Sequence, residues 1–423
     1  MELTIMPGFR VAQQVAPQLK VYSPTANRLT VTLSQQGREL KSTDYALAAS
    51  AAYQYFSLDL GGVRGELVIT VTGDGFRREI PYEVVASPVR STRQLDGCWI
   101  SLVHWSDQEA RHFNRELKTL TAAQWRDQIR GMSAIGVKAI VIQNVFDSSN
   151  YVFAHQDTVE TYGGAAFYPS KLYPRRFTGL ALEDPLEVIL AAADQYHMQV
   201  FVGVGLFAWF DFSTESLRWH KRVATELYQQ YGHHPSFYAF YISEELPGSF
   251  YDDYAPAHKA AWHDVVTFFA EFAAFIKELA PTKPIALAPN NIRFEQFLPA
   301  WRQVLVNVDI LLPFAFARDL EHLNLAAIQA VCDEANTHLW VDMEIFAYPF
   351  EDTGLIPKDI DSLIKEIKIY DAVENVFGYQ YTGLLNAPDS LCDLGGASPK
   401  QVYRDYQEYI ARKQLDEGRE ESL

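Results

Sequence analysis

From Glu2 to about Val85 apolar and polar residues alternate in short runs, LKVYS, RLTVTLS, YFSLDL, ELVITVTG and REIPYEVV, with turn residues between them. A period of two over so few residues predicts half-buried strands, and no helical period is sustained. Residues 1–92 therefore read as a small all-β sandwich of immunoglobulin-like type, an accessory domain. The polar, turn-rich stretch SPVRSTRQLDG, Ser87 to Gly97, reads as a linker.

Beyond the linker, strand and helix patterns take turns. Gly97 to Trp105 reads as a strand, followed by a helix that Thr121 and Gln124 open with a capping box; Trp125, Ile129 and Met132 form its buried stripe and Gly136 closes it. Further strands are predicted at Val137 to Phe146, Met198 to Phe207, Ser236 to Leu246, Lys283 to Asn291, Asp309 to Ala317, Thr337 to Phe346 and Asn375 to Leu385, each followed by a helical segment. Eight strand and helix pairs give the α/β class and, specifically, a closed (β/α)8 TIM barrel over residues 93–414. Residues 415–423 read as a charged, frayed tail.

In such a barrel the site lies at the C-terminal ends of the strands, so side-chain alternation becomes a site prediction. In strand four Phe240, Ile242 and Glu244 share one face, while Ala239, Tyr241, Ser243 and Glu245 share the other. The large apolar face belongs under helices, which turns Glu245 inward. In strand seven Leu339, Val341, Met343 and Ile345 oppose His338, Trp340, Asp342 and Glu344, which makes Glu344 the inward acid at the strand end.

Composition narrows the partners. A chain of 423 residues with 48% hydrophobic and 21% charged residues has material for a barrel and a smaller domain. Its formal net charge of -17 disfavours nucleic acid and anionic membrane surfaces and suits a neutral ligand. Cys98, Cys332 and Cys392 are widely spaced, and neither a CxxC nor an HExxH motif occurs, so free thiols are expected and no zinc motif is seen. MELTIMPGFR has no secretory pattern and no stretch is apolar enough to span a bilayer, so the chain as it stands reads as soluble and cytoplasmic; a removed leader would leave the same picture.

Two carboxylates delivered to one barrel mouth from separate strands are the equipment for cleaving a glycosidic bond. Glu245 and Glu344 are the candidate catalytic pair, and the chemistry needs no metal or other cofactor. Around them, Gln143 and Asn144 after strand two and Asn290 and Asn291 after strand five are neutral groups suited to sugar hydroxyls. His104 and Trp105 end strand one, Trp209 and Asp211 follow strand three, and Tyr379 and Tyr381 share a face of strand eight. Either tyrosine is a candidate donor to keep Glu344 ionised. The long loops after strands two and four are candidate lids.

Acids at the ends of strands four and seven resemble the large clan of (β/α)8 glycoside hydrolases, which implies that Glu245 is the acid/base and Glu344 the nucleophile of a retaining enzyme. The segments AIGVKAIVIQ, AFYISEEL, VDILLP and LWVDMEIF are similar to the DUF4434 family of bacterial barrel proteins, over about Leu95 to Ile410. That resemblance places the family's strand-four and strand-seven acids at the same two residues. It departs at strand six, which often ends there in a Gln-Asp pair and here in Phe314-Ala315; Arg318 or Asp319 beyond is a candidate replacement. The expected function is hydrolysis of a neutral oligosaccharide or glycoconjugate, with non-catalytic carbohydrate binding on the same scaffold as the alternative. A phosphate-ligand enzyme is disfavoured, because strands seven and eight lack glycine-rich loops.

Overall fold

The computed structural model describes residues 1–25, 27–147, 164–173, 175–204, 212–250, 262–291, 293–317, 323–347 and 353–420. Eight strands precede the barrel: β1 (Glu2–Met6), β2 (Arg10–Ala12), β3 (Gln18–Tyr22), β4 (Asn27–Gln35), β5 (Arg38–Leu47), β6 (Gln54–Ser57), β7 (Gly65–Gly73) and β8 (Phe76–Val85). They form one sheet in the order β1-β3-β6 and a second in the order β2-β8-β7-β4-β5. Alternation supplies the core between them: Leu29, Val31 and Leu33 of β4 and Leu67, Ile69 and Val71 of β7 pack with Leu3, Ile5, Leu19 and Val21.

The barrel strands are β9 (Leu95–Ile100), β10 (Ala139–Ile142), β11 (Gln199–Gly203), β12 (Phe237–Ile242), β13 (Ile285–Leu287), β14 (Ile310–Leu311), β15 (His338–Leu339), β16 (Val341–Glu344) and, after the small hairpin β17 (Phe346–Ala347) and β18 (Ile356–Pro357), β19 (Val376–Tyr379). They are parallel in the order β15-β14-β13-β12-β11-β10-β9-β19-β16. β15 and β16 are two pieces of strand seven, interrupted at Trp340. Trp340 N donates to Leu311 O at 2.9 Å and Asp342 N to Pro313 O at 3.1 Å, which closes eight strands into a ring. Each strand is shorter than its apolar run, because ladder pairing holds only around the waist; the residues beyond leave it to build the mouth.

The inner and outer layers follow the alternation. Phe240, Ile242, Leu339, Val341 and Met343 belong to the apolar layer under the helices. Trp99, Val141, Phe201, Ala239, Tyr241, Ala286, Trp340 and Phe377 fill the interior, where Trp340 stacks on Phe377 at 5.1 Å between ring centroids. Thr121 and Gln124 make the expected capping box at the start of the helix Ala122–Ala134. The last helix runs Ala397–Glu420 and takes in most of the segment expected to fray. Among the described residues no helix is long and apolar enough to cross a membrane.

The sandwich reaches into the barrel. Met6, the last residue of β1, and Phe9, in the turn before β2, join the interior cluster from below; Phe9 meets Trp340 edge-on at 5.8 Å. Tyr238 OH donates to Ile5 O at 2.8 Å and Gln199 Nε2 to Gly8 O at 2.6 Å. A Cβ on Gly8 would stand 2.4 Å from Gln199 Nε2 and 2.7 Å from the Tyr238 ring, so the close approach requires glycine. Arg10, buried, bridges Glu83 of β8 at 2.5 Å and Asp96 of β9 at 3.3 Å.

Candidate active site

Glu245 lies three residues beyond Ile242, the last residue of β12. Its Oε1 accepts a hydrogen bond from Asn290 Nδ2 at 3.1 Å. Asn290 is itself fixed, since its backbone N donates to Leu246 O at 3.0 Å and its Oδ1 accepts from Gly248 N at 3.3 Å. Burial pushes the Glu245 carboxyl up to about 7, against the opposing pull of the Asn290 bond. This group holds its proton to near neutrality.

Glu344, the last residue of β16, is buried, and its Oε2 lies 3.9 Å from Lys358 Nζ. Lys358 follows the β17–β18 hairpin and also donates to Glu366 at 2.6 Å. A cation therefore stands beside the strand-seven acid. Two residues deeper on the same strand, Asp342 is 1% exposed and its Oδ1 has no hydrogen-bond partner among the described residues. Burial, then the charges of Glu344 and Glu245, raise the Asp342 carboxyl far above the usual carboxylate range. Three carboxyl groups thus share one field at the mouth. The third was legible as an inward position of strand seven but carried no signal of its own.

Neutral groups continue around the rim. Tyr379 OH donates to Gln143 Oε1 at 3.0 Å, and Ser101 Oγ lies 3.0 Å from the same oxygen and 2.7 Å from Gln380 Oε1. The ends of strands two and four crowd the last residue of strand three between them, so that a Cβ on Gly203 would stand 2.4 Å from Gln143 O and 2.6 Å from Ser243 Oγ. Asn144 turns back, Nδ2 donating to Phe146 O at 2.7 Å. Asn291 is buried and its Nδ2 has no partner among the described residues. Tyr241 lies on the inward face, its ring edge-on to Trp99 at 6.0 Å.

Strand six presents aromatics. Phe314 is half-buried against the interior cluster and stacks on Phe316 at 5.0 Å and 23°. Trp105 is 42% exposed, whereas His104 beside it is sealed in. His104 N donates to Asn114 Oδ1 at 2.8 Å, its ring meets Phe113 edge-on, and burial lowers its pKa to about 4, so it is neutral.

Two expectations are corrected. Tyr381 does not share the inward face with Tyr379: β19 ends at Tyr379, alternation ceases there, and Tyr381 packs fully buried in the outer apolar layer with its hydroxyl against Gly131. Tyr379 donates to Gln143, and a cation beside Glu344 comes instead from Lys358, on a loop the strand pattern could not place. Trp209, Asp211, Arg318 and Asp319, and much of the two candidate lids, lie outside the described residues.

The sequence profile of a family described as a domain of unknown function, DUF4434, matches residues 95–392. The chain belongs to this family. The DUF4434 match begins at Leu95, the first residue of β9, and leaves the sandwich outside it. No curated protein matches the sequence. Among solved structures, a candidate alpha-L-fucosidase from Bacteroides thetaiotaomicron VPI-5482 superposes with a TM-score of 0.53 at 15% identity, over 75% of this chain and 95% of that one. A beta-glucuronidase from Parabacteroides merdae gives 0.41 at 13% identity over 97% of this chain and 51% of that one. A GH2 beta-galacturonidase from Eisenbergiella tayi bound to galacturonate gives 0.43 at 10% identity, over 93% and 69%. The DUF4434 chain spans about half the length of the Parabacteroides protein. At these identities the likeness is one of fold.

Proposed function

We propose that this barrel is a retaining glycoside hydrolase acting on a neutral oligosaccharide or glycoconjugate. The observation that carries the reading is the division of acidity at the mouth: Glu245 keeps its proton to about 7, while Glu344 has Lys358 at 3.9 Å. Cleavage of an acetal needs that division, one carboxyl as acid and the other as anion. Glu245 protonates the glycosidic oxygen as the bond to the anomeric carbon breaks, and Glu344 attacks that carbon to form a glycosyl ester. Water then attacks the anomeric carbon, giving its proton to the Glu245 carboxylate, and the bond from that carbon to Glu344 breaks to release the Glu344 carboxylate.

The surrounding groups have roles in this reading. Asn290 holds the Glu245 carboxyl in place. Gln143, Asn144, Asn291 and Tyr379 meet sugar hydroxyls, and Trp105 offers an apolar ring for a sugar face. Trp209 and Asp211 remain candidate contacts after strand three. His104 supports Trp105 from below, with the two rings stacked at 5.9 Å. One observation favours non-catalytic carbohydrate binding instead: Phe314 and Phe316, stacked at 5.0 Å, offer an aromatic platform beyond strand six.

A panel of chromogenic aryl glycosides, assayed with the natural chain and with Glu245→Gln and Glu344→Gln, tests the proposal. Each substitution is expected to lower turnover roughly 10²–10⁴-fold, and the first product released is expected to keep its anomeric configuration by NMR. Turnover unchanged from the natural chain in both variants rejects the pair. Ligand binding with no turnover by the natural chain supports the binding protein.

A further inference from the structure

We propose that Glu187, His233 and His234 form a binding site for a divalent transition-metal ion of the zinc type, on the outer layer of the barrel and at the opposite end of β12 from Glu245. Glu187 stands in the first turn of the helix Pro185–Gln195, and the two histidines occupy the turn between the helix Thr214–Tyr231 and β12. One ligand atom from each of the three residues lies within 4.8 Å of the others.

The arrangement around His234 is built. Its Nδ1 lies 2.6 Å from Asp194 Oδ2, while Asp194 Oδ1 accepts from Ser236 N at 2.8 Å, so the carboxylate is held from two sides. Ser236 Oγ is tied in turn to Leu190 O at 3.0 Å. A carboxylate on one imidazole nitrogen that leaves the other aimed outward is the support metal-ligating histidines use. With Nδ1–H given to Asp194, Nε2 presents its lone pair toward Glu187 Oε2 at 3.1 Å. Two lone pairs facing at that distance need something positive between them or a second proton on the ring. Ligands on a tetrahedral zinc stand about 3.3 Å apart, given bonds of roughly 2.0–2.2 Å, so the spacing fits an ion.

His233 distinguishes an ion from a plain ion pair. It is exposed, makes no hydrogen bond among the described residues, and its ring lies 4.2 Å from that of His234 at 36°. An ion pair between His234 and its two carboxylates has no use for it, whereas a metal gains a third ligand by a rotation of its free side chain. Two imidazoles and one carboxylate select zinc-type ions over magnesium or calcium, and a fourth position is left for water. The ion would clamp one helix to the turn leading into the Glu245 strand, and so raise stability rather than take part in hydrolysis.

The test uses the full chain, stripped with EDTA and titrated calorimetrically with zinc chloride, and beside it with magnesium chloride. One equivalent of zinc is expected to bind and to raise the melting temperature, and magnesium is expected to do neither. Because the sequence holds 11 histidines, the site is assigned by variants: His233→Ala and Glu187→Gln, both at exposed side chains, should weaken zinc binding at least about 10-fold, and Asp194→Asn about 10–100-fold. Glycosidase activity should be unchanged in His233→Ala. Absence of stoichiometric binding overturns the proposal, as does unaltered affinity in both His233→Ala and Glu187→Gln.

Discussion

A carboxylic acid that is to protonate a leaving oxygen near neutral pH must be kept from ionising, and at Glu245 burial does this. The same shift has a measurable cost. Between the unfolded carboxyl value, about 4.3, and about 7 the folded state binds more protons than the unfolded one, so stability falls as pH rises through that window. Glu245→Gln should therefore raise the melting temperature at about pH 8 and leave it nearly unchanged at about pH 4; thermal scans at the two pH values check this. On the activity side, kcat/KM should decline as pH rises past about 7, when Glu245 loses its proton. Asp342 is pushed in the same direction, well above the usual carboxylate range, by burial and then by the charges of Glu344 and Glu245. Asp342→Asn keeps shape and charge state, and is expected to retain activity within roughly 10-fold while stabilising the fold above about pH 5. A loss as deep as that of Glu344→Gln would give Asp342 a chemical role instead.

At the scale of the element, local rules held where their causes are local. The capping box of Thr121 and Gln124 satisfies helix N–H groups within one turn, and Thr121→Ala should cost about 1 kcal/mol in chemical denaturation. Strand alternation put Ala239 and Tyr241 inward and Phe240 and Ile242 outward because a pleated backbone leaves no other choice. The same rule stopped working at Tyr381, which lies past the end of β19 where the backbone no longer follows the pleat. Strand seven divides at Trp340, whose indole fills the interior between Phe9, Phe201 and Phe377. Its Nε1–H donates to Glu374 Oε2 at 3.1 Å, a contact no period in the sequence reports.

For the whole molecule, the sandwich is part of the barrel's structure as well as an appendage. Phe9 seats in the base beside Trp340 and Phe377, and the chain around Gly8 is pinned by Gln199, Tyr238 and Tyr82. Phe9→Ala should cost roughly 3–5 kcal/mol, as truncation of a fully packed aromatic does, seen as a lower urea midpoint. Removing residues 1–92 would uncover the aromatic base of the barrel, and the remaining chain is expected to aggregate when expressed alone; a soluble, monodisperse barrel by size exclusion would refute this.

Hydrophobic period and helix caps, read from the sequence alone, were enough for an all-β segment followed by eight alternating strands and helices, because those follow from backbone geometry over a few neighbouring residues. Tertiary structure decided what depends on neighbours far along the chain. It brought Lys358 to Glu344, placed Asp342 in the field of both glutamates, moved Tyr381 to the outer layer, seated Phe9 in the barrel base and set Glu187 and Asp194 around His234. Acidity and coordination arise from desolvation and from charges within a few ångströms, and the order of residues along a chain does not record those distances.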